Sequence, residues 1–158
     1  MIKIIGNEQA GHEVIIKLKE WDEALRRLDL TQMLSLHDKT ASFYDLSAEF
    51  SNLSEYQHLW QDFKPMDHTE YSALSVSRRN IVIHADEHLV VLNALFKIED
   101  LEHADIKGFG WCRQTMCWMK KNRTWKVMHQ HLSVPIELES GIFKPILLKQ
   151  KRVREKLR

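Results

Sequence analysis

Residues Lys107 to Lys120 contain Trp111-Cys112-Arg113-Gln114-Thr115-Met116-Cys117-Trp118, and residues Thr124 to Val134 read Thr124-Trp125-Lys126-Val127-Met128-His129-Gln130-His131-Leu132-Ser133-Val134. Apolar and polar side chains alternate along both stretches, which is the period of a half-buried β-strand. Between them Lys120-Lys121-Asn122-Arg123 is a turn, and a turn this short joins antiparallel strands. Working backwards, the same period predicts strands over Glu70–Ser77, Ile81–Ala85 and Leu89–Glu99, with a turn at Ala85-Asp86-Glu87-His88.

Upstream of Pro65 the period changes. Val14, Leu18, Trp21, Leu25 and Leu28 recur at steps of four and three, which predicts a helix from Asn7 or Glu8 to Leu28. A second, short helix is expected over Thr31–His37, with Thr31 as its N-cap and Leu34 turned inward. Ser42–Leu46 reads as a short extended piece. Ser54-Glu55-Tyr56-Gln57 has the form of a capping box, and Tyr56, Leu59, Trp60 and Phe63 continue a third helix that Pro65 closes. Helices followed by hairpins imply an α+β fold, with the N-terminal helices packed in a curved antiparallel sheet and a cleft between the two.

The composition agrees with one globular domain. The chain has 158 residues, 44% of them hydrophobic and 28% charged, with a formal net charge of +1. That length supports one core, and the near-neutral balance gives no general attraction to nucleic acid or membrane. Leu89 to Phe96, the most apolar run, falls far short of the roughly 20 residues a membrane-spanning helix needs. The N-terminal stretch is too short for a signal-peptide core. Cys112 and Cys117, five apart in one strand, point to opposite faces and are not expected to pair with each other. A reducing, cytoplasmic setting follows as the expectation. The division expected is one domain over residues 1–148 and a basic tail over 149–158. That tail carries six basic residues and one acid, without interleaved aromatics, and reads as a solvated terminus.

The last two strands also carry a resemblance. Trp125, His129, His131, Ser133 and Pro135, followed by Glu139-Ser140-Gly141, resemble the end of the SnoaL-like, ketosteroid-isomerase-homologue branch of the nuclear-transport-factor-2-like superfamily. Trp21, Asp22, Ala24, Leu25 and Asp29, and then Phe43-Tyr44-Asp45-Leu46, extend it more weakly. The resemblance implies a cone-shaped fold, a pocket inside the cone and a homodimer formed through the outer sheet face.

It also allows the isomerase chemistry to be tested residue by residue. Abstraction of a proton beside a carbonyl needs a carboxylate base and acidic donors for the enolate. By resemblance the base position falls on Asp45, the tyrosine donor on Trp21 and the aspartic acid donor on Met116. An indole is a poor acid and a thioether donates nothing, so steroid isomerisation is not expected. Asp45 and Tyr44 remain the candidates for other acid–base chemistry. The register implied by the superfamily turns Met116, Trp118, Met128, Gln130 and Leu132 into the pocket, where Trp21 and Trp60 add aromatic lining. It turns Trp111, Arg113, Thr115, His129 and His131 outward to the dimer partner. His129 and His131 share a face, but a catalytic zinc needs a third protein ligand and no motif supplies one, so neither a metal nor another cofactor is expected.

The function expected is a homodimeric pocket protein for a small apolar molecule. One alternative is a lyase, isomerase or hydrolase using Asp45. Another is an association module, like the related association domain of calcium/calmodulin-dependent protein kinase II.

Overall fold

A computed structural model describes residues 1–62, 74–100 and 110–142. Phe63, Pro65, His103, the expected strand starts at Glu70 and Lys107, and the basic tail lie outside the described residues. Among the described residues three helices, α1 (Glu8–Arg26), α2 (Leu30–Ser35) and α3 (Leu53–Asp62), pack on a seven-stranded sheet. In chain order the strands are β1 (Ile2–Gly6), β2 (His37–Tyr44), β3 (Glu49–Phe50), β4 (Leu74–Ala85), β5 (Leu89–Asp100), β6 (Cys112–Lys121) and β7 (Thr124–Ser133). Their spatial order is β1-β4-β5-β6-β7-β2-β3, and the architecture is a cone-shaped α+β fold.

Local chemistry sets the helix ends. The Asn7 side chain accepts the Ala10 N–H and starts α1. Val14, Leu18, Trp21 and Leu25 are buried along it, but Leu28 takes φ 55 and the helix stops at Arg26, two residues short of the expected end. Asp29, not Thr31, caps α2 by accepting the Gln32 N–H at 2.9 Å. Leu34 is buried as expected, whereas His37 leaves the helix and begins β2. At α3 the capping pair is Asn52 with Glu55 rather than Ser54 with Gln57. Asn52 Oδ1 accepts the Glu55 N–H at 3.0 Å, and Glu55 Oε2 accepts the Ser51 N–H at 2.8 Å.

The four strands β4 to β7 form an antiparallel meander. Asn122 and Arg123, both at positive φ, close the β6–β7 hairpin in the conformation of a primed two-residue turn. The expected separate strands ending at Ser77 and starting at Ile81 are one strand. Asn80 sits at φ 53 inside a register shift between Arg79 and Val82, so a bulge breaks the alternation without ending the strand.

The sheet is mixed rather than wholly antiparallel. β1 runs parallel to β4 and β2 runs parallel to β7, pairs of strands far apart in sequence that no hairpin joins. β1 has no counterpart in the sequence reading. It is an edge strand of five residues, and two glycines admit it. Gly6 lies at φ +97 against the Ala85 carbonyl, and a Cβ on Gly11 would stand 2.7 Å from Ile4 Cγ2.

A second bulge matters for the site. On β7 the pairing passes from Cys117–His129 to Trp118–Val127, which leaves Met128 as the extra residue. Gln130 is buried on one side of the bulge and Val127 and Trp125 on the other, so Met128 is half-buried instead of facing inward with Gln130.

Candidate functional site

Asp45 follows the last residue of β2. Its N–H donates to the Ala48 carbonyl at 2.9 Å and closes the turn into β3. Its Oδ1 accepts the Leu46 N–H at 2.7 Å. The carboxyl is partly buried, and that burial pushes its pKa up against the lowering effect of hydrogen bonds from Leu46 and the Tyr56 hydroxyl. On its solvent side Asp45 lines a groove of about 410 Å³ formed by residues 44–49.

Tyr56, from the first turns of α3, stands behind it. The ring is fully buried and stacks on Phe43, with centroids 3.8 Å apart and planes at 11°. The phenol is raised well above its ordinary range, first by burial and then by the Asp45 charge, so it is a neutral hydrogen-bonding group at all ordinary pH. Gln130 Nε2 donates to the Tyr56 hydroxyl at 3.4 Å, and the Trp60 ring stands edge-on to Tyr56 with centroids 6.2 Å apart. His37 lies beyond Gln130, 4% exposed, with Nδ1 3.2 Å from the Met33 carbonyl. Cys112 completes the surroundings, its thiol pushed up by burial and by the nearby Asp45 charge. The arrangement offers a carboxylate open to a groove, with a phenol and a carboxamide fixed behind it.

Tyr44 lines the same groove as Asp45 but turns its ring towards the histidines of the outer face. Tyr44 is 54% exposed, and its ring stands edge-on to His129 at 5.2 Å and His131 at 5.8 Å. Successive strand residues point to opposite faces, so a Tyr44–Asp45 pair in sequence cannot be a pair in the interior. The phenol beside Asp45 belongs to Tyr56, which the sequence shows only as a member of a helical stripe. A tyrosine on the buried stripe needs a partner for its hydroxyl, and that need was the available signal.

Of the other expected pocket residues, Trp21, Met116 and Trp118 are core side chains with almost no exposure, and Gln130 is buried at 2%. Trp60 and Leu132 are partly buried against the core, and Met128 sits at the bulge. A buried ion pair occupies the space beside Trp21. Arg78 Nε donates to both Asp22 oxygens at 2.9 and 3.0 Å, and Arg78 Nη1 donates to Gln114 Oε1. Its guanidinium lies 5.2 Å from the Trp21 ring centre and 4.6 Å from that of Phe96. Trp21 Nε1, Gln114 Nε2 and Trp118 Nε1 are buried donors with no acceptor among the described residues.

The outer face carries the remaining expected residues. Arg113 and His131 are exposed, and Thr115 donates to Asn93 Oδ1 at 2.9 Å. His129 Nδ1 meets Ser42 Oγ at 2.8 Å, and its pKa is lowered by burial and by His131. Trp111 lies under the Arg79 guanidinium at 5.3 Å. Among the described residues no group of three or more His, Cys, Asp or Glu side chains is placed to hold a metal ion, and no helix is long and apolar enough to cross a membrane.

A sequence profile described as the SnoaL-like domain matches residues 17–137. No curated protein matches the sequence. Among solved structures, an NTF2-like protein of unknown function from Pseudomonas putida KT2440 superposes with a TM-score of 0.74 at 19% identity, covering 87% of this chain and 96% of its own. An NTF2-like protein from Cytophaga hutchinsonii gives 0.60 at 20% identity over 80% and 98% of the two chains. The CaMKII hub homology domain of Chlamydomonas reinhardtii gives 0.64 at 13% identity over 80% and 98%. At these identities the likeness is one of fold.

Proposed function

Because the chain belongs to the SnoaL-like domain family, within the NTF2-like superfamily, we propose that it is a homodimeric protein that binds a small, largely apolar molecule beside Asp45. One observation carries this reading: a partly buried carboxylate opens outward into a groove and rests inward on the buried Tyr56 hydroxyl. A polar group set against an apolar interior orients a ligand, while Leu46 and Ala48 in the groove wall supply apolar contact. The ligand class is an apolar body with one hydroxyl or carbonyl oxygen. Binding of a panel of such compounds, followed by NMR shift perturbation, tests it. Perturbations centred on residues 44–49 and Tyr56, weakened about tenfold or more in Asp45→Asn, support the site. Perturbations that avoid both segments refute it.

The raised pKa of Asp45 favours a second reading, in which the same carboxylate acts as a general base in a lyase, isomerase or hydrolase. A substrate whose turnover survives Asp45→Asn unchanged would exclude it. The outer face of Arg113, Thr115, His129 and His131 supports homodimer formation, and the fold shared with a hub homology domain keeps an association role in view. A monomeric mass by light scattering at micromolar concentration would remove both assembly claims.

A further inference from the structure

A second groove lies between α2, α3 and the start of β2. It encloses about 410 Å³ and shares no lining residue with the groove beside Asp45. Helical spacing builds it. Leu53, Gln57, Trp60 and Gln61 lie on one face of α3, at steps of four, three and one, and Leu30 and Leu34, four apart, meet them from α2. The wall is apolar: Leu34 is buried, and Leu30, Leu53 and Trp60 are partly buried against the core. The rim is polar. Thr31, Lys39, Gln57 and Gln61 are exposed around the opening, and none of their side chains has a hydrogen bond or ion pair among the described residues.

The charge around this groove has one sign. Lys39 lines it from β2. Lys126 stands beside the same side, its ammonium donating to the carbonyl of Ser35, another lining residue. Among the described residues no acid lines the groove. Asp29 accepts the Gln32 N–H, Glu55 accepts the Ser51 N–H and Asp38 pairs with Lys121. His37, also in the wall, is 4% exposed, and burial keeps it neutral near pH 7. The cation facing a bound molecule is therefore Lys39.

An apolar wall with an unpaired ammonium on one side and no acid complements a molecule with an apolar chain and one negative end. The volume is that of a small-molecule site, within the range of about 300–1,000 Å³. We propose that the α2–α3 groove binds a single-chain amphipathic carboxylate, its tail against Leu30, Leu34, Leu53 and Trp60 and its carboxylate at Lys39. This site is separate from the one beside Asp45 and does not depend on it. The Lys39 ammonium keeps contact with water, so its share of the affinity is modest and sensitive to salt.

The experiment is an NMR titration of the full chain at neutral pH and low ionic strength with sodium decanoate below its micelle concentration. Decanol tests the tail alone and acetate the charge alone. Decanoate is expected to perturb residues 30–35 and 53–61, including the Trp60 indole N–H, in a saturable way. Lys39→Met keeps the side-chain stem and removes the charge at an exposed position. It is expected to weaken decanoate about fivefold and to leave decanol unchanged. Acetate should leave these residues unmoved. Equal decanoate affinity in the wild-type and Lys39→Met proteins would overturn the proposal, as would decanol binding as tightly as decanoate. Absence of perturbation in α2 and α3, or perturbation centred on residues 44–49 and lost in Asp45→Asn, would also overturn it. Because the two grooves share no lining residue, failure at α2 and α3 leaves the Asp45 reading standing, and success there does not support it.

Discussion

Arg78 and Asp22 form an ion pair inside the protein, with Arg78 Nη2 2.7 Å from Asp22 Oδ1 and the two side chains only 4% and 12% exposed. Trp21 and Phe96 flank the guanidinium, and Gln114 Oε1 accepts a hydrogen bond from it. Pairing and hydrogen bonds offset the loss of hydration, and neither charge is tolerable without the other. Arg78→Met should destabilise the fold by about 3–5 kcal/mol, because it strands the Asp22 carboxylate among aromatic rings. Adding Asp22→Leu should recover most of that loss, since two apolar groups replace two charges. Urea unfolding of the single and double variants checks this. A double variant no more stable than Arg78→Met would show that the pair is not the coupling element.

That pair also shows where sequence reading ends. The stripe of Val14, Leu18, Trp21 and Leu25 predicts which face of α1 is buried, and all four residues are buried. Asp22 is buried too, although it looks like an ordinary solvated residue beside Trp21, because its partner comes from β4, more than fifty positions away. Alternation likewise predicts that Met116, Trp118 and Gln130 share one face. It misplaces Met128, because a bulge adds a residue without leaving a Gly or Pro to mark it. Asp45 is legible as a carboxylate at the end of an extended piece. Tyr56 is not legible as its neighbour, since α3 packs against β2 only in three dimensions.

His37 predicts a pH dependence in mildly acidic solution. Burial holds its folded pKa near 4, below the ordinary histidine value of about 6.5. The unfolded chain therefore binds the proton more readily than the folded one. Stability should be level above pH 6.5 and should fall as pH drops from about 6.5 towards 4, by roughly 3 kcal/mol on one pKa unit per 1.4 kcal/mol. His37→Leu should flatten that slope, whatever it does to stability at neutral pH. Melting temperatures across this range decide the matter, and a slope that persists in His37→Leu would assign it to other groups.

Glu13 should govern a more acidic window. Its carboxylate takes hydrogen bonds from Lys120 Nζ and Trp125 Nε1, both at 2.7 Å, and so ties α1 to the β6–β7 hairpin. Those bonds, with one from Gln9, lower its pKa from about 4.5 to about 2. A depressed acid contributes stability above its unfolded pKa and loses it as pH falls through the folded value. Glu13→Gln should therefore weaken the wild-type protein's advantage at neutral pH and reduce the pH dependence between about 4.5 and 2. The Lys120 part should fade in 1 M salt, since the pair is partly exposed, while the Trp125 bond should persist. Acid titration of the two proteins at low and high salt separates the contributions.

Gly11 predicts a reversal of the usual helix rule. In most helix interiors Gly→Ala gains about 1 kcal/mol through lower backbone entropy in the unfolded chain. Here a Cβ would lie 2.7 Å from Ile4 Cγ2 and 3.2 Å from Ile4 Cδ1. The Cγ2 methyl is fixed to a β-branched centre in the edge strand, so the strand must move rather than one rotamer. Gly11→Ala should lose stability and should speed hydrogen exchange of the β1 amides that pair with β4. Ile4→Ala should remove the clash, so that Gly11→Ala becomes stabilising in that background. A stabilising Gly11→Ala in the wild-type chain, with β1 amides still protected, would mean that the strand and helix do not press on each other as the structure places them.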